Sequence, residues 1–255
     1  MRVAWAALAA TMLLPMATMS ADAPKALAVP RARIESADYR ASGHLVRVQA
    51  NGIRVSYPIT IKAHWFPGVL RVLVEFTPPS SAIPNVPAHL LLEMRPGGKS
   101  TILLAHPSEK AAAVLPFDKW SEGPLGNEFS YEDFLEAQYF WAGQTALGET
   151  KFGARDCDQL KSSPGAADKT HYSEVKSWLD HTIGFPVYVE KTLHGGAVKE
   201  FTYFGLRQNG GVWSASQVEA KLRGHGGSTL LIIDRGAPHA NLGLKDFSPA
   251  QLTHF

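Results

Sequence analysis

One cysteine, Cys157, stands in 255 residues. That excludes an intrachain disulfide and any zinc site built on thiolates. A chain of this length can fold on its hydrophobic core alone. No His or Lys adjoins Cys157, so it reads as a small buried apolar residue rather than a reactive thiol. Charge is scarce as well. Asp, Glu, Lys and Arg make up 19% of the chain, against an average of ~25%. With 45% hydrophobic residues, this is the composition of a folded chain and not of a disordered one. The net charge of +2 offers no electrostatic grip on nucleic acid. Trp65, Trp120, Trp141, Trp178 and Trp213 are not interleaved with basic residues as a stacking platform requires.

Catalytic motifs are equally lacking. The sequence contains no G-x-S-x-G, no H-E-x-x-H, no G-x-x-x-x-G-K-[ST] and no G-x-G-x-x-G. The glycine cluster RGHGGST (223–229) is flanked by strand patterns, so it reads as a hairpin turn and not as a phosphate cradle. No two of the ten histidines lie at the i, i+2 or i, i+4 spacing of metal ligands on one strand or helix. Glu132, Asp133 and Glu136 fall at the start of a predicted helix, where acidic side chains offset the dipole. The expectation is a non-enzymatic protein without cofactor or metal.

At the N-terminus, Arg2 precedes the apolar run VAWAALAATMLLPMATM and the small residues Ser20 and Ala21. A positive start, an apolar stretch and a small-residue exit make a secretory signal peptide over 1–20. A linker (21–30) and one domain (31–255) are expected to follow, outside the cytoplasm.

What the chain has in quantity is hairpins. LVRVQA meets IRVSYPITIKAHW across Asn51-Gly52, the strongest short hairpin signal. Further strand pairs meet at Pro67-Gly68, at 96–99, at Gly195-Gly196, at 209–211 and at Gly226-Gly227. No strand is followed by a long amphipathic helix, which excludes a parallel α/β sheet. The fold class is mainly β (α+β): a large curved antiparallel sheet, or a half-open barrel, with a few short helices. Those helices are predicted at 31–38, from Ser130, and from Ser248-Pro249.

Alternation assigns the faces. Odd positions from Ile53 to Trp65 are apolar, as are the even positions Leu70, Val72, Val74 and Phe76, then Leu90, Leu92 and Met94. Their partners, including Lys62 and Arg71, read as the wet face. Three small helices have a large greasy face to cover. Either an apolar cavity remains beneath them or bulky side chains fill the space. Ile59, Ile61, Val72, Val74, Leu92 and Met94 are the candidate lining of such a cavity; a filled core would use the same residues.

The order of segments carries a resemblance. SGHLVRV, LLEMRPGGKSTILLAHP, SYEDF, DCDQL, WLD, GGAVKEF and GVWSASQVEAKLRGHGGSTLLIID occur in that succession. Over about 31–252, and most specifically over 130–234, the chain resembles the outer-membrane lipoprotein-sorting family, the LolA-like group of Gram-negative periplasmic proteins. The resemblance implies a half-open antiparallel barrel with small helices over an apolar cavity. It also implies a periplasmic carrier of lipid or lipoprotein acyl chains, working with inner- and outer-membrane transport components. The family's cargo-release arginine has no motif match here: Arg40, Arg54 and Arg71 lie on early strands, and none is assigned the role. The other reading is an envelope adaptor with a filled core.

Overall fold

The computed structural model describes residues 23–77, 87–97, 99–107, 109–126 and 128–254. The expected signal peptide lies outside them. Thirteen strands form one antiparallel sheet that does not close on itself. In chain order they are β1 (Asp38–Val48), β2 (Arg54–Phe66), β3 (Val69–Phe76), β4 (His89–Met94), β5 (Thr101–Ala105), β6 (Ala113–Val114), β7 (Gly143–Phe152), β8 (Arg155–Ser163), β9 (Tyr172–Asp180), β10 (Pro186–Leu193) and β11 (Val198–Phe204). A separate two-stranded flap, β12 (Arg207–Asn209) and β13 (Val212–Ser214), precedes β14 (Gln217–Leu222) and β15 (Ser228–Pro238). The spatial order runs β6-β5-β4-β3-β2-β1-β15-β14-β11-β10-β9-β8-β7. Two runs of hairpins, one from each half of the chain, are thus joined where β1 pairs with β15.

Each expected hairpin forms. At Pro67-Gly68 the pairing resumes at once, Phe66 opposite Val69. Pro presets the first turn position, and Gly68 takes φ +76°, where a side chain would be strained. The β1–β15 seam needs glycine for another reason. A Cβ on Gly43 would collide with the Ile232 carbonyl at the point where the register shifts.

The helix α1 (Ala23–Glu35) corrects the expected linker at 21–30 and starts earlier than the helix predicted from 31. Pro24 falls in the first turn, where its missing N–H is not needed. Ala23, Leu27, Pro30 and Ile34 share one buried face, and that packing offsets the internal proline. The segment predicted as a helix from Ser130 breaks into two 3-10 turns, Tyr131–Phe134 and Ala137–Phe140, with Leu135 extended between them. Tertiary contacts of its carboxylates, described below, compete with helical continuation. The C-terminal segment also forms 3-10 turns, Leu244–Phe247 and Pro249–Thr253.

Both outcomes left open by the alternation occur, in different places. Over β2–β5 the concave face is filled. Ala23, Leu27 and Ile34 of α1, with Leu135 and Tyr139, pack against Ile59, Val74, Phe76, Leu90, Leu92 and Met94. A second packed cluster, Phe129, Trp141, Tyr172, Val175, Val189 and Phe201, lies under β9–β11. The outer face over β3–β5, expected to be wet, is covered too. Leu242, Phe247 and Leu252 pack on Leu73, Leu91 and Ala105. Lys62, read as exposed, is buried at 9% exposure.

Candidate functional site: a cavity with a charged wall

Between the two inner clusters, which are bridged by Phe134 and Leu231, a cavity of about 270 Å³ remains. Ile61, Ala63, Leu70 and Val72 form one wall, and Phe129, Phe134, Phe185, Phe201 and Tyr203 the other. The flap adds Val212, Trp213 and Ser214. Gly205 at φ +58° starts the flap, and an Asn209 Nδ2 to Gly236 carbonyl bond tethers its tip. Because the strands alternate, the same residues that make the sheet amphipathic supply the apolar surface of the cavity.

Asp38 and two charged clusters break this apolar lining. At the α1 end, Arg33 donates to Glu136 Oε2 at 2.5 Å, with its guanidinium 5.0 Å above the Phe185 ring. Burial works against the charged guanidinium, but Glu136 outweighs it and holds Arg33 above its ordinary value. At the other end lies Asp133, whose side chain is fully buried. Lys191 donates to its Oδ1 at 2.8 Å and Lys199 to its Oδ2 at 3.2 Å. The Tyr172 hydroxyl donates at 2.7 Å and the Ser130 hydroxyl at 2.6 Å. Burial alone would raise the carboxyl, but the two ammonium groups and these bonds hold it well below the usual range. Lys191 and Lys199 are cross-strand partners in the β10–β11 hairpin. Like charges directly opposite repel, and Asp133 sits between them. Lys191 and Asp133 line the cavity.

Of the six residues expected to line a cavity, Ile61 and Val72 do so. Ile59, Val74, Leu92 and Met94 point to the same interior but are packed in the filled part, each at 2% exposure or less. The acidic triple is not a set of solvated dipole partners. Glu132 accepts from Thr170 Oγ1 at 2.9 Å and meets His171 at 3.2 Å, Asp133 holds the lysines, and Glu136 holds Arg33. Of the early-strand arginines, Arg71 pairs with Glu93 at 2.7 Å, and the cavity arginine is Arg33. Lys191, Lys199 and Arg33 were missed by sequence reasoning. The Gly195-Gly196 turn was legible, but counting outward from it sets Lys191 opposite Glu200; the loop also takes in His194, and this one-residue offset brings Lys191 opposite Lys199. Cys157 is buried as expected, and burial pushes its thiol up. Away from the cavity, Glu149, Asp158 and His181 place ligand atoms within 4.8 Å of one another. This is the group of described side chains that could hold a metal; Glu149 and His181 are exposed, and His181 already pairs with Asp158 at 3.2 Å.

A family model described as an uncharacterized protein family matches residues 118–254, more than half of the chain. The chain belongs to this family. The match begins just before the Ser130–Asp133 turn and includes β10 and β11, so the buried triad falls inside it. No curated protein matches the sequence. Among solved structures, the chain is similar to a domain named for outer membrane lipoprotein sorting from Vibrio parahaemolyticus. The TM-score is 0.79 at 23% identity, over 91% of this chain and 100% of that one. A DUF1329 family protein from Desulfovibrio piger gives a TM-score of 0.79 at 16% identity, over 92% and 100%. A LolA superfamily protein from Nitrosomonas europaea gives 0.65 at 15%, over 90% and 99%. The fold is LolA-like: a large, unclosed antiparallel sheet with few helices.

Proposed function

We propose that this protein is a periplasmic carrier that holds an acyl chain of a lipid or lipoprotein in its cavity, for transport or sorting between inner and outer membrane. The observation that carries the reading is the hollow between Ile61, Val72, Phe134 and Phe201, left open in a fold whose remaining concave face is closely packed. Burying about a dozen methylenes yields roughly 10 kcal/mol gross at ~0.8 kcal/mol each, enough to meet the cost of association without directional chemistry. The signal-peptide pattern over 1–20 supports export. Among the described residues no helix is long and apolar enough to cross a membrane. The likeness to a domain named for lipoprotein sorting supports the cargo class. Transport components of the two membranes would load and unload the carrier, and no chemical step is part of this role.

The test is direct. Protein purified from its native envelope should carry lipid visible by native mass spectrometry. After delipidation it should take up a fluorescent fatty acid. Absence of both would return the protein to the adaptor reading. The N-terminus found in the same spectra should lie at or near Ala21.

A further inference from the structure

We propose that the cavity takes an amphiphile with one anionic headgroup, a carboxylate or a phosphate monoester, seated against the Lys191 ammonium. This rests on the acyl-chain reading above and names the headgroup, on which that reading is silent.

Three observations carry it. First, the buried cluster is unbalanced. Lys191 and Lys199 face each other in register, at 4% and 1% exposure, around the single carboxylate of Asp133. Its other partners, Ser130 and Tyr172, are neutral. Of the neighbouring carboxylates, Glu136 pairs with Arg33, while Glu132 accepts from Thr170 and lies 3.2 Å from His171. Asp38 at the rim accepts from the Asn241 and Leu242 amides and meets His64. Counted by itself the triad has a formal charge of +1, with two ammonium groups sharing one carboxylate.

Second, Lys191 borders the hollow, and a smaller pocket beside Glu132 and Tyr172 as well. Lys191 lines the cavity, whereas Lys199 lies behind it. An ammonium has three donors. Among the described residues Lys191 gives one hydrogen bond, to Asp133. Beyond that bond its cation lies over the rings of Phe201 at 4.6 Å and Tyr172 at 5.2 Å. Rings stabilise a cation weakly and accept no strong hydrogen bond. A wall meant for hydrocarbon alone would be better served by Leu or Met here. An anionic oxygen supplies both the missing charge and the missing acceptor.

Third, the volume suits one chain. An apolar cavity of ~150 Å³ holds benzene. By that ratio the hollow of about 270 Å³ holds about eleven non-hydrogen atoms in all, the head at Lys191 and most of one medium-length chain.

The experiment compares dodecanoate, dodecyl phosphate and dodecanol near neutral pH, by displacement of the neutral probe N-phenylnaphthylamine from the delipidated full chain. Both anions are expected to bind about tenfold or more tighter than the alcohol, as a charge-assisted hydrogen bond implies. The tighter of the two separates a free fatty acid from a phosphate-bearing lipid as the natural source. Lys191→Met should abolish the preference. That variant keeps a one-to-one Lys199–Asp133 pair, and circular dichroism checks that it folds. Arg33→Met should leave the preference intact. Equal affinity of the acid, the phosphate and the alcohol for the unmodified protein overturns the anion while the carrier reading stands. A preference that survives in folded Lys191→Met, or that disappears only in Arg33→Met, overturns the assignment to Lys191. If neither the probe nor any of the three compounds binds, the carrier reading falls with it.

Discussion

Lys62 Nζ and Glu75 Oε2 meet at 2.9 Å on the outer face of the β2–β3 hairpin, where strand alternation alone would set two solvated side chains. Register places Lys62 opposite Leu73, which the C-terminal segment covers. Lys62→Asp would put two carboxylates in a half-dry site. A loss of about 1–3 kcal/mol or more is expected in denaturant unfolding. Arg54→Asp, on the same strand but exposed, should stay within about 0.5 kcal/mol.

Val72 and Val74 lie two residues apart on the same face, yet only Val72 borders the hollow. Val72→Trp should fill the cavity, cut fatty-acid uptake and cost little stability. Val74→Trp should overpack the filled region and cost about 1–3 kcal/mol. Similar melting temperatures for the two variants would show that the cavity does not end between them.

Asp133→Asn leaves two buried ammonium groups without a counter-charge. Breaking a buried pair from one side costs about 3–5 kcal/mol, and a urea titration should show a loss of that order. The doubly altered Asp133→Asn/Lys191→Met should recover part of it, since it buries one cation rather than two. A larger loss in the double variant would mean that Lys191 stabilises through packing and not through charge.

His89 is buried, and its Nε2–H donates to the Phe76 carbonyl at 2.7 Å. Burial holds the imidazole below its ordinary value of 6.5 against the opposing pull of Phe76, Glu75 and Leu252. Below that value the unfolded chain binds the proton more readily than the folded one. Stability should therefore be full above it and fall as pH drops through it. Asp133 and Asp38 are lowered from 3.8, so their losses begin only in more acid solution. Thermal melting between about pH 8 and about pH 5 spans this histidine and the other nine, so the contribution of His89 is read as the difference from a variant. His89→Gln should flatten the profile over that interval.

The hairpins were legible because their determinants are local: Asn51-Gly52, Pro67-Gly68 and Gly195-Gly196 fix turn geometry from within two residues. The inward face of β3, and of β2 from Tyr57 onward, was legible for a similar reason, since a period of two leaves no choice once one residue is placed; Ile53 and Val55, read on the same face, are exposed. The helix α1 was obscured by Pro24 and Pro30. Its stability comes from Leu27 and Ile34 packing on the sheet, which propensity does not report. The burial of Lys62 depends on Leu242, Phe247 and Leu252, far away in the chain. The charged wall was hardest to see. Asp133, Lys191 and Lys199 come from a turn and two strands, and nothing in the sequence around Asp133 marks it as the partner of a lysine pair some sixty residues on.

The free edges at β6 and β7 have a mechanical consequence. In a closed barrel, strand number and stagger together set the diameter, and widening it means severing a ladder. Among the described residues this sheet has two end strands paired on one side only, and what ties its two halves across the inside is side-chain packing around α1. The sheet can flatten or tighten by small changes of twist at each of its twelve seams, keeping its backbone hydrogen bonds throughout. On the proposed carrier role, the aperture over the hollow would follow that bending, as in a leaf spring, and a partner gripping either edge strand would have leverage over the cargo.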